Sequence, residues 1–204
     1  MVDLIPSPDS VMEILKKTGA YRKGHFVYPN GKHASHYFQM PLAFRYYDNA
    51  RILSVGLSRM FRMEKSISSR LPKVSVISPS PGGIMVAFGV REALSAEQIY
   101  WAETEDGKRQ FRQYMAETDV HPVIIVDDII RSGKAIAETI GLCQEINAEV
   151  IGIGAIARFE DGPEEFEGIP VKSLLTFDVN FYANEDEWKT SRSASDATEE
   201  KVRF

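Results

Sequence analysis

The chain has 204 residues, 44% of them apolar and 26% charged, with a formal net charge of −5. That size and balance suit one folded domain with a full core, and the acidic surplus argues against a broad nucleic-acid-binding surface. A single cysteine, Cys143, excludes an internal disulfide, and no apolar run approaches the roughly 20 residues needed to span a bilayer.

Asp9-Ser10 can cap a first helix running to about Lys17, with Val11, Ile14 and Leu15 on one face and Gly19 beyond its end. Phe26-Val27-Tyr28 and Tyr37-Phe38 flank Pro29-Asn30-Gly31-Lys32, whose Asn-Gly pair favours a tight hairpin. Residues 19–45 therefore read as a small β-rich hood. Asp48 or Asn49 starts a second helix, in which Ile52, Leu53, Leu57, Met60 and Phe61 recur at helical spacing. Residues 74–77 form a short strand that ends in Ser78-Pro79-Ser80-Pro81-Gly82-Gly83, before a helix over 84–94. Residues 99–102 are the next strand. Residues 103–119 are polar, carry both charge signs and lack clean periodicity, which predicts a long loop or flexible lid.

After Pro122, residues 123–126 read as a strand buried on both faces, running into Asp127 and Asp128 and then a small-residue turn, Ser132-Gly133. A helix follows to about Ile146, with Ala135, Ile136, Ala137, Ile140 and Cys143 at its apolar positions. Further strands are expected over 150–157 and 171–175. Strand and helix alternate from 74 to 157, which implies a doubly wound parallel sheet flanked by helices. The hood and a core over about 46–183 make one domain. Residues 184–204 are polar and rich in Ser, Thr and Glu, so a poorly ordered tail is expected. The N-terminus lacks the basic-then-apolar order of a signal peptide, and the expected location is the cytoplasm.

The stretch from Val123 to Lys134 carries the most chemistry. Open α/β sheets bind ligands at the carboxyl ends of their strands, and the N-terminus of a helix favours anions through free N–H groups and its dipole. Paired carboxylates beside an anion-binding turn suit a ligand with both hydroxyls and a phosphate. Ser132-Gly133-Lys134 is not a Walker loop, since Asp128 and Ala135 stand where that motif needs glycine and a hydroxyl. Gly152-Ile153-Gly154-Ala155-Ile156-Ala157 fits a dinucleotide fingerprint only in letters, because it reads as strand interior. The four histidines lack metal-ligand spacing.

The Val123–Lys134 stretch resembles the phosphoribosyl-pyrophosphate signature of type I phosphoribosyltransferases: an apolar strand, two acidic residues, two apolar residues, then a Ser/Thr-Gly phosphate loop. Other stretches are similar to the orotate phosphoribosyltransferases in particular. They are Gly24-His25-Phe26 with Asn30-Gly31-Lys32-His33 and Tyr37-Phe38-Gln39, the loop Ser78 to Ile84, Ala102-Glu103 with Asp106-Gly107-Lys108 and Arg112, Arg158, Ser173-Leu174-Leu175 and Asp178-Val179. Order and spacing agree from about residue 19 to 182.

The resemblance implies transfer of the phosphoribosyl group of phosphoribosyl pyrophosphate to orotate, giving orotidine monophosphate and pyrophosphate, with Mg2+ carried on the pyrophosphate and no direct protein ligand to the metal. Asp127 and Asp128 would hold the ribose hydroxyls and favour the developing cation. Ser132, Gly133, Lys134 and Ala135, with Arg131 beside them, would form the phosphate turn, and Gly82 and Gly83 would let the backbone approach pyrophosphate. Lys108 would be a catalytic lid cation and Arg112 a second one, with Glu103 at the lid's base. Arg158 would contact orotate, and one of Tyr37 and Phe38 would offer a stacking surface while the other faces the core. A homodimer is expected, with neither nucleic acid nor membrane as partner.

Several site positions depart from the family. Thr104 replaces an arginine usual after the loop's glutamate, Gln113 the second of two arginines, and Ala157 an acidic residue before Arg158. Lys134 and Ala135 stand where a small residue and a hydroxyl are usual, and losing one charge-assisted phosphate donor costs about 1–3 kcal/mol. These departures give a second reading: a protein of the same fold that binds a nucleotide or phosphoribosyl pyrophosphate without efficient turnover.

Overall fold

The computed structural model describes residues 5–28, 31–111 and 121–191, and the backbone of 201–203. Pro8–Thr18 form α1, capped by Ser7, whose Oγ accepts the Ser10 N–H at 3.2 Å. The helix thus starts one or two residues before the Asp9-Ser10 signal, because proline is well suited to a first helical position. Tyr21–Val27 (β1) and His33–Phe38 (β2) pair antiparallel, as the hood hairpin requires. The expected Pro29-Asn30 part of its turn lies outside the described residues. Pro41–Phe44 (α2) leads into Tyr47–Arg62 (α3) and Lys65–Ser68 (α4).

The central sheet begins with Ser75–Ser78 (β3), Ile84–Leu94 (α5), Gln98–Glu105 (β4) and Lys108–Phe111 (β5). Here the structure corrects the loop expected over 103–119. As far as Phe111 it is an antiparallel hairpin whose turn residues, Asp106 and Gly107, both have positive φ (49° and 76°). Asp-Gly is a strong two-residue hairpin signal, and polar composition masked it. Val123–Ile130 (β6) follows, then Lys134–Glu145 (α6), Val150–Phe159 (β7), Glu165–Phe166 (β8) and Ile169–Phe177 (β9). Strand β6 is longer than expected. Its pairing with β7 runs on through Asp127↔Ala155 to Ile130↔Arg158, so the acidic pair lies within the strand.

Among the described residues the sheet order is β5-β4-β3-β6-β7-β9-β8, with β4, β3, β6, β7 and β9 parallel and the hairpins β4–β5 and β8–β9 antiparallel at the margins. Alternation along β6 feeds two cores. Ile124 and Val126 join Leu57, Phe61, Val86 and Val90 from α3 and α5, while Val123 and Ile125 join Ile136, Ile140 and Cys143 of α6. Gly154 is strand interior, as expected, and its lack of a side chain has a packing cause: a Cβ there would lie 2.8 Å from the Phe61 ring. No helix among the described residues is long and apolar enough to cross a membrane.

The hood is completed from the far end of the chain. Phe181–Tyr182 (β10) adds to β2, Glu185–Thr190 forms α7, and Lys201–Arg203 (β11) pairs parallel with β1. A poorly ordered tail beginning at residue 184 is therefore corrected for 185–190. Asn184 caps α7 by accepting the Glu187 N–H at 2.9 Å, and the Glu187 carboxylate accepts the Ala183 N–H at 2.9 Å, a reciprocal arrangement close to a capping box. Trp188 is 8% exposed, stacks on His25 at 3.8 Å and 7°, and donates its indole N–H to Ser35 at 3.2 Å. Such a short helix holds only through its docking. Trp188→Ala is accordingly expected to raise amide exchange across 185–190 to that of free chain while leaving the β6 and β7 amides protected; unchanged protection of α7 would refute this.

Candidate active site

The sheet order reverses direction between β3 and β6, the place where an open α/β sheet leaves a crevice at its carboxyl ends. Asp127 and Asp128 sit there. Asp127 is 5% exposed, and its Oδ1 accepts the Ser80 hydroxyl at 2.7 Å and the Asp128 N–H at 3.0 Å. Asp128 Oδ1 accepts the Ile129 N–H at 2.8 Å. Burial pushes both carboxyls above the usual carboxylate range. Asp127 rises further, because the Asp128 charge adds to burial and outweighs the Ser80 hydrogen bond. The two carboxyls interact closely enough to titrate as a pair.

The loop after β3 lies directly on this pair. Ser78 donates its hydroxyl to the Ser80 carbonyl at 2.6 Å, and the Gly83 N–H donates to Ser80 Oγ at 3.3 Å. A Cβ on Gly82 would stand 2.7 Å from Asp128 Oδ2, and one on Gly83 would stand 2.5 Å from Asp127 Oδ1. Both positions therefore need glycine for contact distance. Ser80 was not among the residues expected to act here, although it stands in the Ser-Pro-Ser-Pro-Gly-Gly run that the sequence marks.

Beyond β6 the chain turns through Arg131 and Ser132 to Gly133, which caps α6 with φ 71°, left-handed backbone that favours glycine. Lys134 donates its N–H to Ser132 Oγ at 3.4 Å, while its ammonium is 80% exposed and lies 3.6 Å from Glu138. An arch from Phe159 to Phe166 covers this turn. A Cβ on Gly133 would meet both Phe166 and Pro163 at 2.6 Å, and a Cβ on Gly162 would meet the Arg131 carbonyl oxygen at 2.5 Å. The arch is held by Arg158. Its guanidinium donates to the carbonyls of Phe159 at 3.2 Å and Gly162 at 2.9 Å, and pairs with the exposed Glu164 carboxylate at 3.2 Å.

Asp127, Asp128, Gly82 and Gly83 thus converge, and Arg158 stands level with Ile130 on the neighbouring strand, beside the turn. Tyr37 and Phe38 diverge, as alternation requires. Phe38 stacks on Phe177 at 4.1 Å and meets Phe159 edge-on, whereas Tyr37 packs on Phe26 and Tyr28. Arg131 lies over the Phe181 ring at 3.7 Å and 5.9 Å from that of Tyr28. The cation therefore faces the hood's aromatic side chains. Glu103 accepts the Trp101 indole N–H at 3.2 Å, and Lys108 is exposed on β5, opposite Glu105. Ala135 is the second residue of α6, and Ala157 is buried in β7. Arg112 and Gln113 lie outside the described residues.

No family model matches the chain. An orotate phosphoribosyltransferase of Thermoanaerobacter sp. (strain X514) is 32% identical over 178 residues, covering 87% of this chain and 89% of that protein. One of Thermotoga petrophila is 31% identical over 176 residues, covering 86% and 89%. The fold is shared with the crystal structure of orotate phosphoribosyltransferase from Aeropyrum pernix, with a TM-score of 0.61 at 20% identity over 81% of this chain and 93% of that one. The identity and coverage of these relatives, together with the fold just described, place the chain in the orotate phosphoribosyltransferase family.

Proposed function

We propose that this protein transfers the phosphoribosyl group of phosphoribosyl pyrophosphate to orotate. The observation that carries the reading is the buried Asp127-Asp128 pair at the sheet's reversal point, with a glycine loop on one side and a helix-opening turn on the other. The bond from the anomeric carbon to pyrophosphate breaks with its electron pair leaving on pyrophosphate, positive charge builds on the ribose ring, and orotate's ring nitrogen then closes on that carbon as its N–H proton passes to solvent. The acidic pair accepts hydrogen bonds from the ribose hydroxyls and lies where that charge develops. Its negative charge is already uphill in the buried crevice, so an approaching cationic ring relieves it.

Backbone N–H groups of Ser132 to Ala135 bind the 5′-phosphate at the start of α6, and the Ser132 hydroxyl adds a donor. Gly82 and Gly83 bring backbone to the pyrophosphate. Lys108 is the described lid cation, with Arg112 assigned the same role. Orotate's carboxylate replaces Glu164 on Arg158; Glu164 is 82% exposed, so the displaced pair is worth little. Phe38 is held against the core by Phe177 and Phe159, which leaves Tyr37 as the stacking candidate.

Among the described residues no group of three or more His, Cys, Asp or Glu could hold a metal by itself. The residues fit Mg2+ as an ion carried on pyrophosphate, with the aspartates supplying negative potential nearby, and bound so it neutralises the leaving group's charge. A homodimer is part of the proposal. Its support is a groove between α3 and α5, lined by Tyr47, Met85 and Phe88, which are 78%, 44% and 49% exposed.

The test incubates pure protein with orotate, phosphoribosyl pyrophosphate and Mg2+ and follows orotidine monophosphate. Absence of product, with calorimetric binding of phosphoribosyl pyrophosphate retained, would favour the non-catalytic reading, to which the arch packed on Gly133 gives structural support. Asp128→Asn is expected to weaken phosphoribosyl pyrophosphate binding about tenfold or more, the weight of a hydrogen bond to a charged group. Unchanged affinity would remove the ribose role.

A further inference from the structure

Arg109 has no role in the proposed function, yet it bonds to two separate segments of the site's framework. It lies on β5, at the margin of the sheet. Residues 98–101 of β4 pair with β3, but residues 102–105 pair with β5, so the hairpin overhangs the carboxyl end of the sheet as a two-stranded ribbon. A ribbon of that size is marginal by itself and takes its position from side-chain tethers.

Arg109 supplies two. Its Nε donates to Glu138 Oε2 at 3.0 Å, on the second turn of α6, and a terminal guanidinium nitrogen donates to the Pro79 carbonyl. The side chain is only 13% exposed, so these bonds are sheltered from water. The guanidinium also holds the Glu138 carboxyl below the usual carboxylate range, mainly through that hydrogen bond. Lys134 approaches the other Glu138 oxygen, which gives this chain's unusual lysine a partner on its own helix. Glu138 and Pro79 belong to the two segments that flank the acidic pair: Pro79 to the loop that carries Gly82 and Gly83, Glu138 to the helix that the phosphate turn opens.

We infer that Arg109 is a positioning residue that ties the β4–β5 hairpin to both the glycine loop and α6, and so sets the width of the crevice in which phosphoribosyl pyrophosphate lies. The crevice's ligand rests on the function proposed above; the three-way tether does not. A planar guanidinium can serve two acceptors in fixed, divergent directions, whereas an ammonium is a single point of charge. Arg109→Lys is therefore a severe change here, although charge is kept.

Two measurements on the whole 204-residue chain decide the matter. Hydrogen exchange is expected to rise in Arg109→Lys in residues 79–83 and 98–111 together, and an increase confined to the hairpin would overturn the tether. Calorimetry is expected to show phosphoribosyl pyrophosphate binding weakened about tenfold, as for loss of a charge-assisted bond, while kcat at saturation changes less than threefold. Binding within twofold of the parent would overturn the positioning role. Glu138→Gln, which keeps an acceptor for Arg109 but removes the charge, is expected to give a smaller loss than Arg109→Lys; a larger loss would assign the effect to charge and overturn the geometric account. If the parent protein binds phosphoribosyl pyrophosphate but forms no product with orotate, the orotate assignment fails and both tether measurements still stand. If it binds none, the proposed function fails and the exchange pattern alone decides.

Discussion

Asp127→Asn is expected to yield a protein that melts at a higher temperature and has lost most of its turnover. The side chain is buried, and burial together with the Asp128 charge raises its pKa well above the ordinary value. A carboxyl whose pKa is raised on folding opposes folding whenever it is charged. That penalty is complete above the folded-state pKa, shrinks as pH falls through it, and is gone below the usual carboxylate range of about 4. Asparagine removes the charge and can still accept from the Ser80 hydroxyl and the Asp128 N–H through Oδ1. The gain in Tm is therefore largest above the folded-state pKa and disappears toward pH 4, at about 2–4 °C for each kcal/mol recovered in a chain of this size. In the same variant kcat/KM falls about 100-fold or more, the scale of removing one preorganised electrostatic group. A variant less stable than the parent at pH 8, or one of parental activity, would contradict the account of the pair.

Gly83→Ala is expected to be nearly as damaging, for a steric reason. Its Cβ would lie 2.5 Å from Asp127 Oδ1, 2.7 Å from Ser78 Oγ and 3.0 Å from the Asp127 Cα. No rotamer relieves the contact with the Cα, so the loop must lift from the acidic pair and give up the bonds that run through Ser80. Because that loop is the proposed pyrophosphate seat, the KM for phosphoribosyl pyrophosphate is expected to rise about tenfold or more with a parallel fall in kcat, since displacing reacting groups by about 1 Å costs on the order of 100-fold. Steady-state kinetics with orotate held saturating reads both constants. Values within twofold of the parent would show that the loop and the carboxylates separate without consequence.

How far the sequence alone reached depended on whether a signal was local. The strand at 123–126, its two aspartates and the glycines at 82 and 83 lie in short runs whose composition allows few readings, and the structure brings them together. The Asp106-Gly107 hairpin was equally local, but a surrounding stretch of mixed charge hid it. Arg109 could not have been found this way. Its partners Pro79 and Glu138 are about 30 residues away on either side, and nothing in its neighbours distinguishes it from a solvated lid cation. Phe166 and Pro163 belong to the same class, since the Gly133 they cover is far off in the chain. Helix α7 is hidden in the sequence because five polar residues around one tryptophan look like tail until Trp188 meets His25.

That indole–imidazole stack also gives the molecule an optical signal. Indole emission depends on what lies against its face, so Trp188 fluorescence reports whether the two rings touch. The chain's other tryptophan, Trp101, belongs to the central sheet, and Trp101→Phe isolates the signal. Docking of the chain's C-terminal helix onto its N-terminal sheet can then be timed in solution without any added dye, and compared with the rate at which substrate enters.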